Sequence, residues 1–221
     1  MFIDKKFRKP RVWSNKILLE ISHMFTGDVA NISGWQDKDK QGRYYKDYFS
    51  NAENYVISNY ESNARGFQGN IENEFFLNLE DDLPKKLIKK FDVVFNHTVL
   101  EHIFDIQKAF QNLCLLSKDI VIVVVPFLQE QHGDYGDYWR FTPLAIKKLF
   151  EKNDMKTIYI NYNDSSNESI YVLAIGSSNP EKWNSIYKFE SNQINQTGDI
   201  GTKILKNSLI TKVLYKFGLI N

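Results

Sequence analysis

The sequence predicts an α/β fold: a doubly wound, Rossmann-like, mostly parallel sheet with an antiparallel edge strand, followed by a C-terminal helical appendage. Three observations carry this expectation. Short apolar runs bounded by turn residues alternate with stretches of helical spacing through residues 1–178. In the middle of the chain Asp92-Val93-Val94-Phe95-Asn96, then a helix capped by Asp105, then the β-branched run at 120–125 form a strand, a helix and a strand, the signature of a parallel crossover. Beyond them, the strand-like runs 157–162 and 169–175 are separated only by polar residues 163–168, a link too short for a crossover, so they pair antiparallel.

Each element has its own local reason. Residues 13–25 place Ile17, Leu18, Ile21 and Phe25 on one helical face, and Gly27-Asp28 ends the run before a first strand at 29–32. Residues 34–50 are polar and aromatic and read as a loop. A second strand follows at 55–58, a brief apolar piece at 75–77, and a short helix over 84–90. Asp105 caps a helix that buries Ile106, Ala109, Phe110 and Leu113. Thr142-Pro143 opens another, with proline at its tolerated first position and Ile146, Leu149 and Phe150 inward. From Pro180 the chain turns polar, and over 202–217 Ile204, Leu205, Leu209, Val213 and Leu214 oppose Lys203, Lys206, Lys212 and Lys216, an amphipathic helix in an extension spanning 179–221.

Composition narrows the function. The 221 residues are 43% hydrophobic and 25% charged, a globular balance, and 28 basic against 27 acidic residues leave no electrostatic case for a nucleic-acid partner. One cysteine, Cys114, excludes an internal disulfide and fits a reducing compartment. The run 121–128 is too short to span a bilayer and the N-terminus lacks a signal peptide's apolar segment, so a cytoplasmic location is expected. The lysine-flanked helix at 202–217 can pack on the domain, pair two copies in a homodimer, or lie on the inner face of an anionic membrane. The four histidines and Cys114 show no ligand spacing, so no metal is expected.

In such a sheet ligands sit at the carboxyl ends of the strands, which directs attention to Ile32-Ser33-Gly34-Trp35, Asn59-Tyr60-Glu61, Asn78-Leu79 and Asn96-His97. The segment from Phe91 to Asp105, with Asn96-His97-Thr98 followed by Leu100-Glu101-His102, closely resembles the fourth-strand signature of class I S-adenosylmethionine-dependent methyltransferases. Downstream, Val125-Pro126-Phe127, then His132, then Asp137-Tyr138-Trp139-Arg140-Phe141-Thr142-Pro143 is similar to a segment of a branch found among sugar and polysaccharide biosynthesis enzymes. The resemblance spans roughly residues 10–175 and is specific from Phe91 to Pro143.

The resemblance implies S-adenosyl-L-methionine as cofactor and methyl transfer to an oxygen of a carbohydrate or cell-surface glycan precursor, with a sugar nucleotide or related small molecule as acceptor. It places the cofactor over Ile32, Ser33, Gly34 and Trp35. Asn59, where the family carries an acid, or Glu61 would meet the ribose. Asn78 and Leu79 would meet the adenine, with Asn96 and His97 alongside. An amide at 59 accepts one hydroxyl bond but donates with its other arm. His132 is the expected general base, with His102 its rival, and Asp137, Tyr138 and Arg140 are expected to line the acceptor pocket, Arg140 facing a carboxylate or phosphate unless it pairs with Asp137 instead. The alternative is a methyltransferase-like domain that binds or scaffolds in glycan biosynthesis without turnover.

Overall fold

A computed structural model describes residues 5–60, 66, 67, 69, 72–133, 136–163, 168–184, 200, 201, 210, 213, 214 and 216–219. Seven strands form one sheet: β1 (Gly27–Ile32), β2 (Ala52–Asn59), β3 (Glu74–Phe76), β4 (Phe91–His97), β5 (Ser117–Leu128), β6 (Lys156–Tyr162) and β7 (Ile170–Ser177). Their order is β3-β2-β1-β4-β5-β7-β6. The pairs β1–β2, β1–β4, β2–β3 and β4–β5 are parallel. β7 runs antiparallel to both β5 and β6, so the expected hairpin forms and its return strand is inserted one place in from the edge. Chain order reverses between β1 and β4, which makes the crevice at their carboxyl ends the topological switch point.

The dense β-branched run of β5 is explained by cover on both faces. Ile120, Ile122 and Val124 join a cluster with Leu18, Ile21, Tyr45, Tyr48 and Phe95, whereas Val121, Val123 and Val125 join one with Phe110, Leu113 and Phe150. All six are fully buried, and each contributes roughly 1.5–3 kcal/mol of apolar burial. Helix α1 (Lys5–Ile21) and the aromatic residues of the β1–β2 loop cover the first face; α2 (Ile106–Leu116) and α3 (Pro143–Lys152) cover the second.

The caps form as the sequence predicts. The Asp105 carboxylate accepts from the Lys108 amide at 3.1 Å, and the Thr142 hydroxyl accepts from the Ala145 amide at 3.1 Å with Pro143 first in α3. Other boundaries shift. Helix α1 starts at Lys5 rather than at residue 13 and carries Pro10 in its interior, where the missing N–H costs one backbone bond that packing outweighs. The helix expected over 84–90 is only a 3-10 turn, Lys85–Leu87. Beyond β7, the Trp183 ring packs tilted against Phe25 at 5.2 Å and its indole donates to Asp119 at 2.9 Å, so the core extends past residue 178. Most of the helix expected at 202–217 lies outside the described residues; within it the Phe217 amide donates to the Val213 carbonyl at 3.1 Å, one helical turn. Among the described residues no helix is long and apolar enough to cross a membrane.

Candidate functional site at the strand ends

No α-helix joins β1 to β2. The crossover is a loop, residues 33–51, with one 3-10 turn at Tyr45–Asp47, and two buried carboxylates organise it. Asp37 accepts from Asn31 (2.8 Å), from the Tyr55 hydroxyl (2.6 Å) and from the Lys46 amide (2.9 Å); burial nonetheless raises its pKa. Asp39 accepts from the amides of Gln41 (2.6 Å) and Arg43 (3.0 Å) and from the Tyr48 hydroxyl (2.6 Å). Gly34 is dictated by the same network, because a Cβ there would stand 2.6 Å from the Asn31 amide nitrogen.

This loop uses the groups expected to meet a cofactor. The amides of Ser33 and Gly34 donate to the Ser58 hydroxyl (3.2 Å) and carbonyl (3.1 Å) respectively. The Trp35 amide donates to Asn59 Oδ1 at 2.7 Å while Asn59 Nδ2 donates back to the Trp35 carbonyl at 3.1 Å and to Glu74 Oε1 at 2.6 Å. Asn59 is thus a buried fastener between the loop, β2 and β3 rather than an open acceptor, which corrects the expectation that it faces a ribose; Glu61, the substitute, lies outside the described residues. Asn78 Oδ1 accepts from the Glu80 amide at 3.0 Å, a turn contact, and Leu79 is buried in the core. Asn96 bridges the two switch-point strands, donating from Nδ2 to the Ile32 carbonyl at 2.9 Å, and its Oδ1 is buried without a hydrogen-bond partner. The ring of His97 contacts the Ser14 hydroxyl through Nε2 and the Thr98 hydroxyl through Nδ1, each at 3.1 Å. Burial, helped by the charge of Arg11, pushes its pKa well below the ordinary value, so it is a neutral packing group.

The second half of the site starts at Thr98, a β-branched residue held at φ 52° after β4 while its amide donates to the Val124 carbonyl at 2.7 Å. That left-handed turn, of order 1–3 kcal/mol in strain, folds the 3-10 turn Leu100–His102 back over the strand ends and buries Leu100 and Glu101 completely. The segment 136–140 is stitched onto it: the Glu101 carbonyl accepts from the Tyr138 amide at 2.7 Å, and the Gly136 carbonyl accepts from His102 Nδ1 at 2.6 Å. Gly136 has φ 97° and lies so near the Tyr138 ring that a Cβ would approach it to 2.7 Å.

His132 sits over the same turn, its ring 5.1 Å from that of His102. Asp137 Oδ2 accepts from the His132 amide at 2.7 Å and lies 3.3 Å from its Nδ1, and the side-chain amide nitrogen of Gln129 lies 3.3 Å from Nδ1 and 3.4 Å from Nε2, so the ring is held between a carboxylate and an amide. Although partial burial opposes it, the Arg140 fork and the His132 amide hold the Asp137 carboxyl down at about 2. Arg140 is spent in this clamp: it makes two bonds to Asp137 (2.6 and 2.7 Å) and donates to the carbonyls of Gln129, Glu130 and Trp139. The expected acceptor contact from Arg140 is therefore corrected to the pairing with Asp137, and of the expected acceptor-side residues Tyr138 stays presented to solvent. It does so with company that the sequence did not single out. Phe104 stands 5.3 Å from Tyr138 and 6.4 Å from Trp139, giving a group of three exposed rings on the segments bonded to the Glu101 carbonyl.

Glu101 is the residue the sequence reading undervalued. Burial raises its carboxyl to about 7, and neither oxygen has a hydrogen-bond partner. Its Oε1 lies 3.8 Å from His102 Nε2, and Glu101, His102 and His132 each bring a ligand-capable atom within 4.8 Å of the others. Thirty residues of sequence separate the last of these from the first two, which is why no ligand spacing is visible along the chain.

The strand order and the place of this cluster point to one architecture, and solved structures decide it. The chain is similar to a chain of the complex between the Haloferax volcanii Trm112 methyltransferase activator and a methyltransferase (TM-score 0.57, 12% identity, 79% of this chain and 93% of that one). The fold is that of the class I methyltransferases. A methyltransferase structure from Bacillus halodurans gives TM-score 0.55 at 9% identity over 74% of this chain and 97% of its own. The Burkholderia thailandensis 1,6-didemethyltoxoflavin-N1-methyltransferase with bound S-adenosylhomocysteine gives 0.51 at 11% over 80% and 84%. No protein-family model matches the sequence, and no curated protein matches it.

Proposed function

We propose that this chain is an S-adenosylmethionine-dependent methyltransferase that acts on an oxygen of a carbohydrate or cell-surface glycan precursor. The observation that carries the reading is the histidine and carboxylate cluster standing over the carboxyl ends of β4 and β5, beside the switch point of a methyltransferase-fold sheet. The crevice residues fit the cofactor in part of its length. Asn96 Oδ1 is a buried acceptor without a partner at the end of β4, and Asn78 follows β3, near which the ring of Phe76 is exposed. Asn96 Oδ1 and the exposed ring of Phe76 are the groups left to meet it, because the amides of residues 33–35 are spent within the loop, Asn78 Oδ1 accepts from Glu80 and Leu79 is in the core.

S-adenosylmethionine, when bound, supplies a methyl group whose carbon–sulfur bond breaks, with the electron pair kept by sulfur, as the acceptor oxygen bonds to carbon. The protein's own contribution is positioning and proton management. His132 takes the hydroxyl proton, and Asp137, 3.3 Å from its Nδ1, holds the ring in place. Arg140 and Asp137 are positioning residues, because they fix the loop that carries His132 without facing the acceptor. The rings of Phe104, Tyr138 and Trp139 offer flat apolar area to the faces of an acceptor ring, which supports a cyclic acceptor over a small linear one.

A second reading, a binding or scaffolding domain without turnover, is favoured by one observation: the diol position is filled by the Asn59–Trp35–Glu74 fastener. Incubating the full chain with methyl-tritiated S-adenosylmethionine and a panel of sugar nucleotides and lipid-linked glycans separates the two. Label transferred to one acceptor class, and lost in His132→Ala, supports the enzyme; no transfer with any of them supports the binding domain. A peripheral membrane contact or homodimer through residues 202–217 remains part of the proposal and is read from co-sedimentation with anionic vesicles and from the solution mass.

A further inference from the structure

We propose that Glu101, His102 and His132 bind a single first-row divalent transition-metal ion at the acceptor site. Two histidines and one carboxylate are a donor set that zinc enzymes and non-haem iron enzymes share, three protein ligands with a coordination position kept open. The three candidate ligand atoms lie within 4.8 Å of one another. Ligands around a tetrahedral zinc ion stand about 3.3 Å apart, so small side-chain rotations close the site.

Both imidazoles are held by partners on the protein side. His102 donates from Nδ1 to the Gly136 carbonyl at 2.6 Å, which leaves its coordinating lone pair on Nε2, the nitrogen 3.8 Å from Glu101 Oε1. His132 has Asp137 Oδ2 at 3.3 Å from Nδ1 and the Gln129 amide nitrogen 3.3–3.4 Å from both ring nitrogens, so its ring is held in place from two sides and an ion would displace the weak Gln129 contact. One backbone carbonyl and one carboxylate behind two imidazoles is the kind of supporting shell that orients metal-ligating histidines. Asp137 is itself anchored by two bonds from Arg140, so the support is rigid.

The independent observation is Glu101. Its side chain has no exposure to solvent, and neither carboxylate oxygen has a hydrogen-bond partner. A buried carboxylate without a hydrogen-bond partner is costly, and its own backbone amide and the charges of Arg11 and Arg140 only partly offset the burial that raises its pKa. A cation between it and the two imidazoles satisfies it. The histidines are the more exposed side of the cluster, at 12% and 27% side-chain exposure against none for Glu101, so solvent or an acceptor reaches the ion from the histidine side.

Ion binding as such does not depend on the methyltransferase reading; only the ion's role rests on it. In that role it lowers the pKa of an acceptor hydroxyl held in the open position, and His132 then serves the acceptor through the ion instead of as a free base. The test uses the full chain, stripped with EDTA and dialysed, titrated with Zn2+ by calorimetry and with Co2+ by its visible absorption. The expected result is one equivalent of either ion, with affinity lowered by about 10²-fold or more in His102→Ala and in His132→Ala, both checked for folding by circular dichroism. His132 is partly exposed, which keeps the test valid should Glu101→Gln fail to fold. Absence of Zn2+ and Co2+ uptake would overturn the inference, as would uptake unchanged in both histidine variants. A parallel titration with S-adenosylmethionine keeps the two claims apart: metal uptake with no cofactor heat upholds the site and removes the methyltransferase reading, and cofactor heat with no metal uptake does the reverse.

Discussion

Asn59 shows how one amide decides whether a strand end is a binding position or a fastener. Its donor arm meets Glu74 at 2.6 Å and the Trp35 carbonyl at 3.1 Å, so Asn59→Asp sets a carboxylate against a carboxylate inside the protein. The substitution is expected to cost about 2–4 kcal/mol and to lower the melting temperature without tightening cofactor binding. An equally stable variant that binds S-adenosylmethionine more tightly would mean that residue 59 faces the ribose after all. For His132→Ala, turnover is expected to fall by roughly 10² to 10⁴ with cofactor affinity nearly unchanged, measured by steady-state kinetics and calorimetry on the same sample; loss of affinity as well would make His132 a structural residue. His97 makes a pH prediction. Its folded pKa lies well below the ordinary 6.5, so the unfolded chain takes up the proton first, and the stability its neutral form contributes is complete above pH 6.5 and lost as pH falls. Urea midpoints of the wild type should drop relative to those of His97→Gln between pH 7.5 and 5; parallel curves would show that His97 titrates normally. The residue types at these positions were legible in the sequence, but their partners were not, because Asn59 meets Glu74 and Trp35 only once three strands align.

At the level of elements, local signals carried further. Asp105 and Thr142-Pro143 marked two helix starts that the structure reproduces, since a cap is chemistry within four residues. The first two turns of α1 carry no apolar periodicity, being Lys5-Lys6-Phe7-Arg8-Lys9-Pro10-Arg11, so the spacing of Ile17, Leu18, Ile21 and Phe25 marks only its later part. The β1–β2 loop reads as a loop from its polarity, yet its rigidity comes from Asp39, fully buried and accepting from two amides and the Tyr48 hydroxyl. Asp39→Ala leaves those donors unsatisfied and is expected to cost about 3 kcal/mol. In a protein of this size that lowers the melting temperature by roughly 6–12 °C, with hydrogen exchange appearing first at residues 33–51. An unchanged melting temperature would show that the loop repacks without the carboxylate. The Glu101–His102–His132 cluster was beyond sequence reasoning for a related cause: its two halves approach only because Thr98 turns left-handed and residues 136–140 are stitched to the Glu101 carbonyl.

For the whole molecule, alternation of apolar runs and helical stretches and one short link were enough to predict the doubly wound sheet and its antiparallel pair, because these follow from burial and chain length alone. The place proposed for the site rests on the reversal of strand order. Its chemistry did not, since a fold hosts many reactions and the neighbours share only 9–12% of their residues with this chain. The account stands on the crevice between β1 and β4 accepting S-adenosylmethionine despite the fastened loop. Calorimetric titration of the full chain with S-adenosylmethionine and with its demethylated product tests this most directly. The account predicts saturable heat with one equivalent of each, weakened in an Asn96→Leu variant that removes the buried acceptor. No heat and no thermal shift with either compound at concentrations of order millimolar, where binding free energies are only about 4 kcal/mol, would contradict it.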